Sequence, residues 1–220
     1  MTEYNFSMNI GDRKVKFRKW KVKDKNKLIN NADNKIAVRE ALVYDCIEDK
    51  NIALSEDEYT YVISMIRNKS LPKNIKFDFT CSSCKHEYEY TADLEKVITA
   101  DYEKYHDIIY KNIIISIGYI QNRIFHDKLM DSLDTLDEKS LFDFILHIKS
   151  FNDNEYTFEE LNDVINNLNV DEFENIFEQW DKMRFKTNNI YDVKCPKCGA
   201  IDTYEFDKLP NFFPDSWNIK

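Results

Sequence analysis

Two short stretches, Cys81-Ser82-Ser83-Cys84 and Cys195-Pro196-Lys197-Cys198-Gly199, decide how this chain folds. Each is a Cys-x-x-Cys knuckle, a turn that presents two thiolates to one metal ion. Two knuckles together supply the four sulfurs of a tetrahedral Zn²⁺ site. Both sit between strand-like runs. Asn74-Ile75-Lys76-Phe77-Asp78-Phe79-Thr80 precedes the first, and His86-Glu87-Tyr88-Glu89-Tyr90 follows it. Ile190-Tyr191-Asp192-Val193 and Ile201-Asp202-Thr203-Tyr204-Glu205-Phe206 flank the second. Apolar and polar residues alternate in these runs, which is the mark of a half-buried strand. The expectation is a zinc ribbon made of two hairpins, with structural Zn²⁺ on Cys81, Cys84, Cys195 and Cys198. Between the knuckles lie the 110 residues from 85 to 194, where a compact site has about 15–20. The ribbon is therefore split, a clasp that closes a long insertion.

Other uses of the four cysteines stay open at this point. They are two strained disulfides, a redox pair, or a ribbon that has lost its metal. A redox Cys-x-x-Cys usually opens a helix after a strand, and one pair suffices. Catalytic zinc fits poorly, because four thiolates leave no open coordination position. His86, two residues past Cys84, reads as a strand residue or an outer donor. Cys46 lies in an apolar helical pattern and reads as core.

Composition narrows the class. The 220 residues suffice for one large domain or two small ones. Only three Gly and four Pro occur, so long flexible linkers are not expected. Thirteen Tyr and fifteen Phe argue for a packed core despite 32% charged residues. No apolar run reaches membrane-spanning length, and Met1 to Asn5 lacks a signal-like apolar segment. A reducing cytosol is expected, which suits thiolate zinc. The net charge of −9 is unevenly spread. Arg13 to Lys27 holds nine Lys or Arg and one acid, while Asp131 to Asp181 holds fifteen acids and two Lys.

In order, the pattern predicts a hairpin over Tyr4–Ile10 and Arg13–Trp20, turning at Gly11-Asp12. A helix starts near Asp24 as N-cap, and a second spans Lys35 to Glu48. Ser55-Glu56-Asp57-Glu58 is a capping box that opens a third helix ending before Leu71-Pro72. After the first ribbon hairpin, Ala92 to Val97 leads out. Ile113 to Ile120 is β-branched and predicts a strand, followed by a helix over Gln121 to Leu133. Thr135 and Thr157 open further capping boxes, and Asn169 caps a helix striped by Phe173, Ile176, Phe177, Trp180 and Met183. The fold class is α+β. Residues 1–72 form a hairpin with helices, 73–97 and 188–208 the split ribbon, 98–187 a mainly helical insertion, and 209–220 an apolar tail. No Gly-rich phosphate loop, nucleophile elbow or His-Glu-x-x-His helix occurs, so no enzyme is expected.

Several stretches together resemble the baseplate hub assembly protein family of T-even-like myophages, also described as hub assembly chaperones. The likeness runs through Val15-Lys16-Phe17-Arg18-Lys19-Trp20-Lys21-Val22-Lys23, a basic aromatic strand that leads into a helix. It continues through Asp57 to Ser70, the strand Ile75 to Thr80, the knuckle Cys81 to Cys84, and Asp93-Leu94. It is best over residues 13–97. It departs at Lys19, where the family often has Pro, and at Leu71-Pro72, where Gly-Glu often follows the Lys-Ser. The resemblance implies a non-enzymatic factor that helps build the baseplate hub in the host cytoplasm. Its partners would be other hub or tail proteins, and the virion tail baseplate its second location. A reading from another class is a zinc-ribbon regulator that binds nucleic acid through Lys14, Lys16, Arg18, Lys19 and Lys21, since such side chains neutralise phosphate.

Overall fold

Alternating residues at the N-terminus pair as predicted. Strand β1 (Phe6–Ile10) runs antiparallel to β2 (Arg13–Phe17). Gly11 makes the turn at φ 60°, and a Cβ there would run into the Tyr119 hydroxyl. This computed structural model describes residues 3–31, 34–93, 99–188 and 190–205. The expected tail over 209–220 and the exit through Leu94 to Val97 lie outside the described residues.

Helix α1 (Val22–Asn30) follows, but its N-cap is Lys21 and not Asp24. Asp24 is the third helical residue and accepts the Lys21 N–H at 2.7 Å. Its carboxylate is drawn inward by Arg18, which grips both oxygens at 2.6 and 2.9 Å. Helix α2 (Lys35–Arg39) passes into a wider π-type turn over Glu40–Tyr44. The pattern predicted helix to Glu48, yet the chain leaves it at Asp45. The edge of β2 captures the next residues: the Arg18 N–H donates to the Cys46 carbonyl, and the Glu48 N–H to the Lys16 carbonyl, both at 2.9 Å. Helix α3 (Glu56–Ser70) has the predicted Ser55 and Glu58 capping box. Ile10, Phe17, Leu28, Tyr44, Cys46, Ile47 and Ile66 seal the first core. Each such side chain, fully buried, contributes about 1.5–3 kcal/mol.

The first cysteine knuckle joins β3 (Asn74–Thr80) to β4 (Glu87–Asp93) in a hairpin. Beyond it, β5 (Thr99–Asp101) is a strand that the sequence pattern did not disclose. The apolar run forms β7 (Ile113–Ile117), as expected, and pairs with β6 (Ile108–Tyr110), with Lys111 at φ 53° in the turn. Helices α4 (Arg123–Ser132) and α5 (Leu136–His147) come next. Then β8 (Ile148–Phe151) joins the outer side of β7, giving the order β6-β7-β8. Helices α6 (Phe158–Asn166) and α7 (Val170–Met183) start at Thr157 and Asn169, as their capping residues predicted. Strand β9 (Lys186–Asn188) returns to pair with β5. The second cysteine knuckle lies in the hairpin of β10 (Ile190–Lys194) with β11 (Ile201–Glu205).

Every strand pairing among the described residues is antiparallel, in keeping with α+β. The expectation of a mainly helical insertion holds only in part. Three of the four helices there, α5, α6 and α7, share a second core with the three-stranded sheet, centred on Phe144, Ile176 and Trp180. Short strands such as β5 and β9 escape sequence reading because only their distant partner makes them strands.

Among the described residues, region 99–188 packs Phe185 into the first core and meets the N-terminal half through three polar contacts. The Tyr119 hydroxyl bonds Asp12, while Arg13 lies 3.8 Å from the Tyr119 ring centroid. Asp57 takes Arg184 at 2.5 Å and the Thr187 N–H at 3.1 Å. The third is a buried joint. Arg39 and Arg123 approach Asp127 at 3.8 and 3.9 Å, and Arg123 also pairs with Glu40 at 2.5 Å. Arg123 stands 4.1 Å over the Tyr44 ring. The fully buried ring of His126 has Nδ1 3.2 Å from Asp127 and Nε2 3.8 Å from Asp143. Burial opposes a charge on His126, but the two carboxylates outweigh it and lift its pKa to about 9.

Candidate metal centre

The alternating strands of the first hairpin put Ile75, Phe77 and Phe79 on one buried face. They pack on Ala92 and on Val193 from the second hairpin, so a small apolar core holds the two hairpins together. Phe79 meets Tyr204 edge-on, with ring centroids 4.5 Å apart. At the knuckles Ser82 reaches across, its N–H donating to Asp202 at 3.1 Å and its hydroxyl bonding the same carboxylate. This pair of charged and polar contacts has no local sequence signature, since Ser82 and Asp202 lie 120 residues apart.

The two knuckles have the same backbone. In the first, the Cys81 N–H donates to the His86 carbonyl and the Lys85 N–H to the Cys81 carbonyl, both at 3.0 Å. In the second, the Cys195 N–H donates to Ala200 at 2.8 Å and the Gly199 N–H to Cys195 at 3.0 Å. Lys85 and Gly199 fill corresponding left-handed positions, with φ of 57° and 74°. Glycine suits that conformation, and Lys85 adopts it at a steric cost.

These turns bring the four predicted residues together. Cys81, Cys84, Cys195 and Cys198 have sulfurs that all lie within 4.8 Å of one another. Across the knuckles, Cys81 Sγ is 3.6 Å from Cys198 Sγ, and Cys84 Sγ is 3.7 Å from Cys195 Sγ. All are free thiols. Cys81 and Cys195 are buried, Cys84 is half-buried, and Cys198 faces solvent. For Cys195 burial works against ionisation, but N–H donation from Cys198 and Lys197 outweighs it and brings the thiol down to about 7. For Cys198 the Ala200 N–H works downward, while the sulfurs of Cys84, Cys81 and Cys195 push it up to about 12. Four sulfurs this close cannot all ionise without a compensating cation. The cluster can hold a metal ion. His86 stacks on Tyr88 and stands outside the cluster, and Cys46 is core, as predicted.

The predicted basic stretch is arranged differently. Arg18 is buried and bound to Asp24, Arg13 pairs with buried Glu58 at 2.5 Å, and Lys16 faces Glu48 at 3.2 Å. Among the described residues no helix is long and apolar enough to cross a membrane.

The molecule is thus a mixed antiparallel α+β protein whose four-thiol cluster joins two distant hairpins. The chain belongs to the family described as T4 bacteriophage base plate protein, which it matches over residues 1–214. A baseplate protein is associated with the virion tail and meets other baseplate proteins there. No curated protein and no solved structure matches it.

Proposed function

We propose that this chain is an assembly factor or minor component of the baseplate hub, working through protein contacts, and that structural Zn²⁺ closes its split ribbon. The family match over residues 1–214 is the observation that carries the role. For the metal, a tetrahedron with Zn–S bonds of about 2.3 Å has edges of about 3.8 Å. The cross-knuckle separations of 3.6 and 3.7 Å are close to that edge. An all-sulfur set with four protein ligands leaves no position for a reacting water, so the role assigned to the metal is structural; the proposed role is a non-enzymatic one. The nucleic-acid reading loses ground, because Arg18 is sealed against Asp24.

The test is a phage in which this gene is disrupted. Tails lacking complete baseplates, restored by supplying the protein, are expected. Normal baseplates without it would overturn the assembly role. Elemental analysis of the purified chain should find about one Zn per chain; a fully folded preparation with no metal would remove the clasp.

A further inference from the structure

Helix α7 carries more apolar surface than its core consumes. Ile176, Trp180 and Met183 are buried, but Phe173 and Phe177 are only half-buried. With Leu141 of α5 they line a groove of about 490 Å³. Val170 precedes them by three and seven residues, which places it on the same stripe of the helix. It is 73% exposed. The apolar stripe therefore runs out of the core onto the surface.

The α5 side of this groove is acidic. Asp137 and Glu138 line it from α5; Glu174 is the residue after Phe173 on α7, and all three are exposed. None has an ion-pair partner among the described residues. That differs from the neighbouring Asp171 and Glu172, which both meet Lys111. An apolar floor beside carboxylates that lack an ion-pair partner favours a segment that brings hydrophobic side chains and positive charge together. It repels an acidic one.

We propose that the groove between α5 and α7 docks an amphipathic segment of another tail protein. Its apolar side chains enter beside Phe173 and Phe177, and its flanking Lys or Arg residues meet Asp137 and Glu174. That the partner is a tail protein rests on the assembly reading above; its chemistry rests on the groove. The described basic stretch of a second copy is a poorer occupant, because Trp20 is buried and Val22 stands as a single exposed apolar side chain among Lys21, Lys23 and Lys25.

The experiment uses the full chain and peptides of about 20 residues tiled over the other tail proteins of the same phage, a length suited to helix-in-groove binding. Bound tiles should combine an apolar pair with Lys or Arg. The double variant Asp137→Lys with Glu174→Lys should weaken them about tenfold, as should raised salt. Val170→Asp should weaken them too. Circular dichroism and metal content show whether each variant is still folded; all three positions are exposed. The proposal is overturned if no tile binds, if bound tiles are acidic, or if binding ignores the double variant. It is also overturned if sedimentation shows self-association that the double variant abolishes, which would make a second copy the occupant. In phage lacking the gene, full rescue by the double variant overturns the groove and leaves the assembly role standing. Normal growth without any copy overturns the assembly role itself.

Discussion

Residues 81–84 meet residues 195–198 through four sulfurs, while residues 39–44 meet residues 123–127 through guanidinium groups and carboxylates, with the His126 imidazole behind them between Asp127 and Asp143. Both contacts hold together parts of the chain that are far apart in sequence. The clasp needs its thiols deprotonated and, on our proposal, a divalent ion to neutralise them. The joint around His126 needs a proton on the ring, because Asp127 and Asp143 flank it. Acid should therefore threaten the clasp, and alkali the joint. The two regions teach that one chain can secure distant segments by chemistries with opposite pH dependence, so that they can be separated by experiment.

The largest effect should come from breaking the clasp. Structural zinc contributes an apparent 10–16 kcal/mol, roughly, in small finger peptides. Here the hairpins also share the core of Phe77, Phe79 and Val193, so partial unfolding is expected. Cys195→Ser, or a strong chelator, should release the metal and open residues 74–93 and 190–205 to protease. The helices around Phe144 and Trp180 should keep most of their circular dichroism signal. Unchanged metal content and an unchanged cleavage pattern in Cys195→Ser would show that Cys195 is not a ligand.

Next in size is the buried pair of Arg18 and Asp24, which lies within the N-terminal core and away from both contacts. Its side chains are 4% and 2% exposed. Arg18→Ala would strand the Asp24 carboxylate in the interior, a change that costs about 3–5 kcal/mol. A lowered urea midpoint with full zinc retention is the expected result. A loss below about 1 kcal/mol would place this pair with solvated surface bridges.

The joint supplies the pH test. The folded pKa of His126 is about 9 against an ordinary 6.5. A raised folded pKa means that the stabilisation is complete below about 6.5 and fades as pH rises through about 9. Its size is at most about 3.5 kcal/mol, from about 1.4 per pKa unit. Asp127 on α4 and Asp143 on α5 face the ring, and Asp127 is approached in turn by Arg39 and Arg123; the two carboxylates set the sign. Thermal melts from pH 6 to about 10 should therefore fall for the parent and flatten for His126→Gln. Parallel slopes for the two proteins would remove His126 from the account, while metal retained through the same alkaline range would separate clasp from joint.

The clasp was legible because Cys-x-x-Cys is a local spacing and its flanking alternation is local too. The capping boxes at Ser55, Thr135 and Thr157 were legible for the same reason. The joint was not, since nothing near His126 in sequence announces Asp143 or Arg39. Asp24 was misread as an N-cap because its pull toward Arg18 is tertiary. Strand β8 and the pairing of β5 with β9 likewise depend on partners that only the fold supplies.

The smallest effect provides the scale for such local signals. Ser55 Oγ accepts the Glu58 N–H at 3.3 Å, and Glu58 accepts the Ser55 N–H at 3.0 Å. Glu58 is itself buried and bound by Arg13 at 2.5 Å, so the cap also anchors the first hairpin to α3. Ser55→Ala removes the Oγ acceptor but leaves the Glu58 carboxylate and its Arg13 partner in place. The loss should be that of one N-cap, about 1 kcal/mol. Because the cap touches neither sulfur nor imidazole, the variant should keep its metal and keep the alkaline fall of the parent, displaced to lower stability by the same amount at every pH. Urea unfolding at two pH values on either side of about 9 measures this directly. A loss that grew with pH would mean that the start of α3 is coupled to the joint through Glu56 and Arg39, which pair at 2.8 Å. The local cap and the long-range contact would then form one cooperative unit.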